Sequence, residues 1–208
     1  MRLLVATRNR GKLAELTALF ADIPELRLLC LADLAPLPEV VEDGETFLAN
    51  AQKKAREMAI ASGLPTLADD SGLMVDALDG APGVYSARFT GEHATDAENN
   101  AELLRRLAGV PLESRAARFR CVLALATPDG AVGPHTRGEC EGRIVFEPRG
   151  DAGFGYDPLF EVVSLGRTMA QLTSAEKHAL SHRGAAARAM CEPLVDWLAR
   201  DGASYGVG

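Results

Sequence analysis

The sequence predicts an α/β fold built on a mixed sheet, and three observations carry that expectation. Residues 3–6 are continuously apolar, as a buried strand requires, and a polar stretch then leads to Leu13, Leu16, Leu19 and Phe20 at helical spacing. A second unit of the same kind runs from a plausible strand over 26–31 to a helical pattern over 46–62 and on to the apolar run 64–67. Finally, Thr127-Pro128-Asp129-Gly130 is a reverse turn after the strand pattern of 118–126, and it sends the chain back antiparallel. The sheet is therefore expected to be mixed, not purely parallel.

A length of 208 residues suffices for one substantial core, as one domain or as two tightly joined lobes. Apolar residues make up 47% and charged residues 25%, the proportions of an ordinary soluble globular protein. The net charge is −7 and no basic run occurs, which argues against a nucleic-acid coat or an anionic membrane surface as partner. A polyanionic substrate would need a metal ion and a few placed Lys or Arg. Cys30, Cys121, Cys140 and Cys191 are scattered without Cys-x-x-Cys spacing, so neither a zinc site nor a disulfide framework is indicated. The apolar run at the N-terminus is too short for a signal peptide and no stretch reaches membrane-span length, which makes a cytoplasmic location the expectation.

Taken in order, the first strand runs directly into Thr7-Arg8-Asn9-Arg10-Gly11-Lys12. A strand, a polar loop with Gly and Lys, and a helix together point backbone N–H groups and the positive helix end at an anion. The spacing is not that of a P-loop, and a plain connection remains open. Residues 36–45 hold two prolines and four acids and are expected to be loop. The helix over 46–62 turns Phe47, Ala51, Ala55, Met58 and Ala59 inward, stops at Gly63, and carries Asn50 and Lys54 on one face.

Ala68-Asp69-Asp70-Ser71-Gly72 is the most informative stretch. It is expected at the end of a strand, where the two carboxylates point to opposite faces and take different tasks. One could brace the turn while the other holds a divalent cation or a water; a simple turn is the competing reading. Gly80 to Arg88 reads as a Gly/Pro-rich turn, and Thr95-Asp96-Ala97-Glu98 has capping-box spacing ahead of a helix with Leu103, Leu104 and Leu107 that stops at Gly109. A further strand over 137–145 is weakened by Gly138 and Gly142. Gly153-Phe154-Gly155-Tyr156-Asp157-Pro158 combines glycines that allow close backbone approach with two rings able to stack on a flat base and an acceptor for ring N–H groups. It could equally pack its aromatics on its own core. Thr173-Ser174-Ala175-Glu176 repeats the capping box, with Lys177 next and Ser181-His182-Arg183 a turn further on, so that these donors could cluster on one helical edge. Met190, Leu194, Trp197 and Leu198 form a core stripe in a last helix that Pro193 is expected to kink.

Five motifs in this order resemble the inosine/xanthosine triphosphate pyrophosphatase family: Thr7 to Lys12, Gly44-Glu45-Thr46-Phe47 with Asn50 and Lys54, Ala68 to Leu73, Gly153 to Pro158, and Ser181-His182-Arg183. The resemblance spans nearly the whole chain. It implies one domain over 1–208 with a long twisted mixed β-sheet flanked by helices, two lobes with a central active cleft, and a homodimer. It implies Mg²⁺-dependent hydrolysis of ITP, dITP or XTP to the monophosphate and pyrophosphate. Carried over residue by residue, Asp70 activates water and binds the metal with Glu42. Ser71 contacts substrate; Thr7, Arg8, Asn9, Arg10, Gly11 and Lys12 grip the phosphates with Lys54; and Phe154, Gly155, Tyr156, Asp157, Lys177, His182 and Arg183 surround the purine. One departure is visible: the family usually has Glu just before the Asn of the helix motif, and here that position is Ala49, leaving Glu42, Asp43 or Glu45 to supply the second acid. A pyrophosphatase of other base specificity and a nucleotide-binding module without turnover are the competing readings. A Rossmann-type oxidoreductase lacks its Gly-x-Gly-x-x-Gly.

Overall fold

The apolar run that opens the sequence forms β1 (Arg2–Val5), which pairs in parallel with β2 (Arg27–Cys30) and with β3 (Thr66–Val75). The computed structural model describes residues 1–200. Parallel neighbours need crossover connections, and these contain α1 (Arg10–Leu19) and α2 (Phe47–Ser62). Both helices are set by their ends. Asn9 caps α1 by accepting from the Gly11 and Lys12 N–H groups. Thr46 caps α2 through Ala49 N–H, and Gly63 ends α2 in the left-handed conformation. Arg10, Gly11 and Lys12 thus belong to the first turn of a helix, where the sequence suggested loop.

After α3 (Asp96–Arg106), β4 (Ala116–Ala126) and β5 (Val132–Ile144) follow, joined by the expected turn, in which Gly130 N–H donates to Thr127 O at 2.9 Å. Short strands β6 (Phe160–Val162) and β7 (Arg167–Thr168) add antiparallel pairs, giving a seven-stranded mixed sheet in the order β2-β1-β3-β4-β5-β6-β7. Two expectations need correction. The Asp-Asp-Ser-Gly stretch lies inside the ten-residue β3, because buried Leu67, Ala68, Leu73 and Val75 flank it on both sides and carry the strand through. The segment after Thr173 is also not one helix: α4 (Ser174–Leu180) ends, Ser181 is extended at φ −72°, ψ 155°, and α5 (His182–Arg200) begins anew. Pro193 lies inside α5 without ending it.

The chain forms two compact units. One comprises residues 1–70, 121–138 and, among the described residues, 183–200; Leu3, Val5, Leu16, Leu123, Met190 and Trp197 are central to its core. The other comprises residues 71–120 and 139–182, with Leu73, Leu103, Leu107, Phe119, Ile144 and Phe160 in a core of its own. Each fully buried large side chain contributes about 1.5–3 kcal/mol, so either core is a substantial store of stability. Among the described residues, no helix is long and apolar enough to cross a membrane.

Candidate active site

Alternation along β3 sends Asp69 and Asp70 into different surroundings. Asp69 is enclosed by cations: Arg183 Nε donates to its Oδ2 at 2.7 Å and Lys12 Nζ to its Oδ1 at 2.5 Å, while Cys121 Sγ donates to Oδ2 at 3.3 Å. Burial alone would push the Asp69 carboxyl up, but Arg183 and then Lys12 reverse this and hold it well below the usual range. Asp70 goes the other way. Burial raises it to about 6, against the pull of Lys54 and Lys12 and with help from Glu42 and Asp69. Its Oδ2 is buried with no hydrogen-bond partner in the structure. Neighbouring carboxylates driven apart in this way mark one as a fixed anion and the other as a group able to take a proton.

Around Asp70 the same unit gathers its phosphate-type donors. Lys54 Nζ pairs with Glu42 at 2.5 Å and donates to the Asp69 carbonyl at 3.2 Å. The loop bearing Glu42 is tied to α2, since Gly44 N–H donates to Asn50 Oδ1 at 2.7 Å, leaving Asn50 Nδ2 buried without a partner. Of the three acids that could accompany Asp70, Glu42 is the one whose charge reaches it, while Asp43 turns to Lys53 at 2.6 Å. Asn9 and Thr7 shape the start of α1, with Asn9 N–H donating to Thr7 Oγ1 at 3.1 Å; Arg8 and Arg10 stand exposed beside them. The described residues hold no cluster of three or more His, Cys, Asp or Glu for a metal. A pair such as Asp70 and Glu42 still suits Mg²⁺, which is commonly held by one or two carboxylates, waters and substrate phosphates. The unpartnered Asp70 oxygen fits that use.

The second unit holds the glycine-aromatic loop. Asp157 is buried, and its Oδ2 accepts from Lys177 Nζ at 2.7 Å and from Phe154 N–H at 3.0 Å. The Lys177 ammonium also lies 4.8 Å from the centre of the Phe154 ring, so aromatic face, cation and carboxylate form one platform. Lys177 is positioned by α4, whose capping box is closed by Thr173 and Glu176 as expected.

A profile of the Ham1 family matches residues 3–193. The chain belongs to the Ham1 family. A protein of Geobacter sulfurreducens named dITP/XTP pyrophosphatase is 56% identical over 185 residues, covering 89% of this chain and 92% of that one. A protein of Exiguobacterium sibiricum with the same name is 50% identical, with 95% and 99% covered. The solved structure of a HAM1 protein from Coxiella burnetii superposes with a TM-score of 0.84 at 42% identity, covering 94% of this chain and 99% of that one.

Three of the residues expected at the base also make contacts within the protein of this Ham1 chain. Tyr156 is 4% exposed in the second unit's core, and its hydroxyl donates to Ser86 O at 2.9 Å. His182 stacks on Phe119, with ring centroids 4.7 Å apart and an interplanar angle of 16°. Arg183 is 1% exposed and spans Asp69 and Glu15, its Nη1 donating to Glu15 Oε2 at 2.6 Å. It therefore sits with the acidic pair of the first unit. Ser71 follows Asp70 on β3, half-buried. Sequence reasoning missed Glu15 and assigned no task to Asn50, Asp96 or Asn100. Only Asn50, sharing a helix face with Lys54, gave a local signal.

Proposed function

We propose that this chain hydrolyses dITP, XTP and ITP between the α- and β-phosphorus, giving the nucleoside monophosphate and pyrophosphate and clearing deaminated purine nucleotides from the precursor pools. The observation that carries this reading is the divided pair on β3: Asp69 locked as an anion by Arg183 and Lys12, and Asp70 buried, raised to about 6 and open at Oδ2. The names of the relatives supply the substrate class.

Phosphoryl-transfer chemistry is mostly positioning and charge neutralisation. Lys12, Lys54 and the positive end of α1 would orient the triphosphate. Glu42 and Asp70 would hold Mg²⁺, which when bound neutralises phosphate charge and acidifies coordinated water. Asp70 takes the proton of the attacking water as its oxygen bonds to the α-phosphorus; the bond to the bridging oxygen breaks and pyrophosphate leaves. Arg183 keeps Asp69 and Lys12 in register.

For the base, Phe154 stacks on the purine while Lys177, fixed by Asp157, faces the 6-oxo group. Adenine would present an amino group to that cation. An unmet buried donor costs about 1–3 kcal/mol, on the order of 10–100-fold in selectivity. The homodimer implied by the resemblance and the cytoplasmic location expected from the sequence complete the reading, and sedimentation tests the first. Pyrophosphate release with Mg²⁺ across ITP, dITP, XTP, GTP, ATP and dTTP is the decisive assay. Highest kcat/KM for the 6-oxo deaminated purines is expected, with loss of turnover in Asp70→Asn. A preference for dTTP, or full activity in that variant, would overturn the proposal.

A further inference from the structure

The loop that carries Phe154 and Asp157 is held from outside by a helix that no motif assigned to the site. Asp96 Oδ2 accepts the Gly155 N–H at 2.7 Å, and Asn100 Nδ2 donates to the Gly155 carbonyl at 2.9 Å. Both polar groups of a single residue are thus gripped by two side chains four positions apart, which share one face of α3. Gly155 itself sits at φ +61°, in the left-handed region that glycine adopts without strain.

The helix is a firm base for such a grip. Thr95 and Glu98 close a capping box at its start, Leu103 is fully buried, and Asn99 bonds to Thr90 N–H at 3.1 Å and to the Ala87 carbonyl at 3.2 Å. Asn100 also leaves its Oδ1 buried without a partner. A buried acceptor left unmet opposes folding, so an apolar side chain would serve the fold at least as well. What Asn100 provides is the bond to Gly155.

We propose that Asp96 and Asn100 are positioning residues for base recognition, clamping the Gly155 peptide so that Phe154 and the Asp157–Lys177 pair are presented in one fixed arrangement. The proposal rests on the reading of that loop as the purine site. Neither residue touches the nucleotide; they act through Gly155. A preorganised platform loses its selectivity when it loosens, while the phosphate chemistry, which uses other residues, is spared.

The test uses the full chain with Mg²⁺ and the variants Asn100→Leu, Asp96→Ala and Asp96→Asn. Pyrophosphate release should show KM for ITP raised about 10-fold in the first two, kcat within about 3-fold, and the ITP-over-ATP ratio of kcat/KM reduced about 10-fold. Asp96→Asn keeps an acceptor oxygen and should return KM to within about 3-fold of wild type. Amide hydrogen exchange across residues 150–158 should quicken about 10-fold in Asn100→Leu and Asp96→Ala, and it reads the clamp without any nucleotide. Unaltered exchange and unaltered KM would overturn the proposal, as would equal losses in Asp96→Asn and Asp96→Ala. Wild-type enzyme with no ITP preference would refute the purine reading, while the exchange data would still decide the clamp. Should Asn100→Leu not fold, the Asp96 variants at the exposed start of α3 decide it.

Discussion

The two aspartates of β3 differ by more than direction. Asp70 has an ordinary carboxyl value of 3.8 when unfolded and about 6 when folded, with burial as the main cause. A raised carboxyl favours the fold fully below pH about 4 and loses that advantage as pH rises through about 6, because the charged form must then be buried. The span from 3.8 to about 6 sets a ceiling of about 3 kcal/mol, of which about 1–3 is realistic. Asp70→Asn is therefore expected to stabilise the metal-free protein by about 1–3 kcal/mol at pH 8 and by almost nothing at pH 3.5. Urea midpoints in EDTA at the two pH values check this, and an equal gain at both would remove the electrostatic explanation. The opposite placement of the pair was legible from strand alternation alone. Their partners were not, since Lys12 is 57 residues from Asp69 and Arg183 is 114. The Arg183 guanidinium, expected at the base, donates to Asp69 and Glu15, neither of which any local pattern links to it.

At the scale of elements, local chemistry was readable wherever an element closes on itself. The caps of α2, α3 and α4 follow from Thr46 with Gly63, Thr95 with Glu98, and Thr173 with Glu176. The extension of β3 through its acids and the break at Ser181 depend on packing from elsewhere in the chain, and no local pattern encodes them. The glycine-aromatic loop lies between these cases: its glycines announce unusual backbone, but not what the backbone serves. Gly153 has φ +82°, and a Cβ there would overlap the Asp157 carboxylate. Gly153→Ala must therefore displace the group that holds Lys177 and Phe154 N–H. A loss of about 1–2 kcal/mol in stability follows from the left-handed backbone. We expect a larger functional effect, with KM for ITP up about 10-fold and kcat less affected. Thermal melts and steady-state kinetics separate the two, and unchanged KM would show that Asp157 is not what orders the loop.

The molecule as a whole has two cores but no segment of chain that owns either alone. The first unit is assembled from three stretches and the second from two, so the chain passes between them within β3, β4 and β5 and at the start of α5. Melting one core would leave those strands half ordered, their backbone N–H and C=O groups deprived of neighbours, a state that costs more than it releases. Unfolding should then be a single cooperative transition despite the length of 208 residues. The sequence has one tryptophan, Trp197, and it is buried in the first unit's core. Its fluorescence reports that unit, while far-UV circular dichroism reports both. Superimposable urea curves from the two probes are expected, with one slope in the range of about 2–4 kcal/mol per molar for a chain of this size. Fluorescence that changes well before or after the dichroism would mean that the cores melt separately and that the shared strands do not couple them.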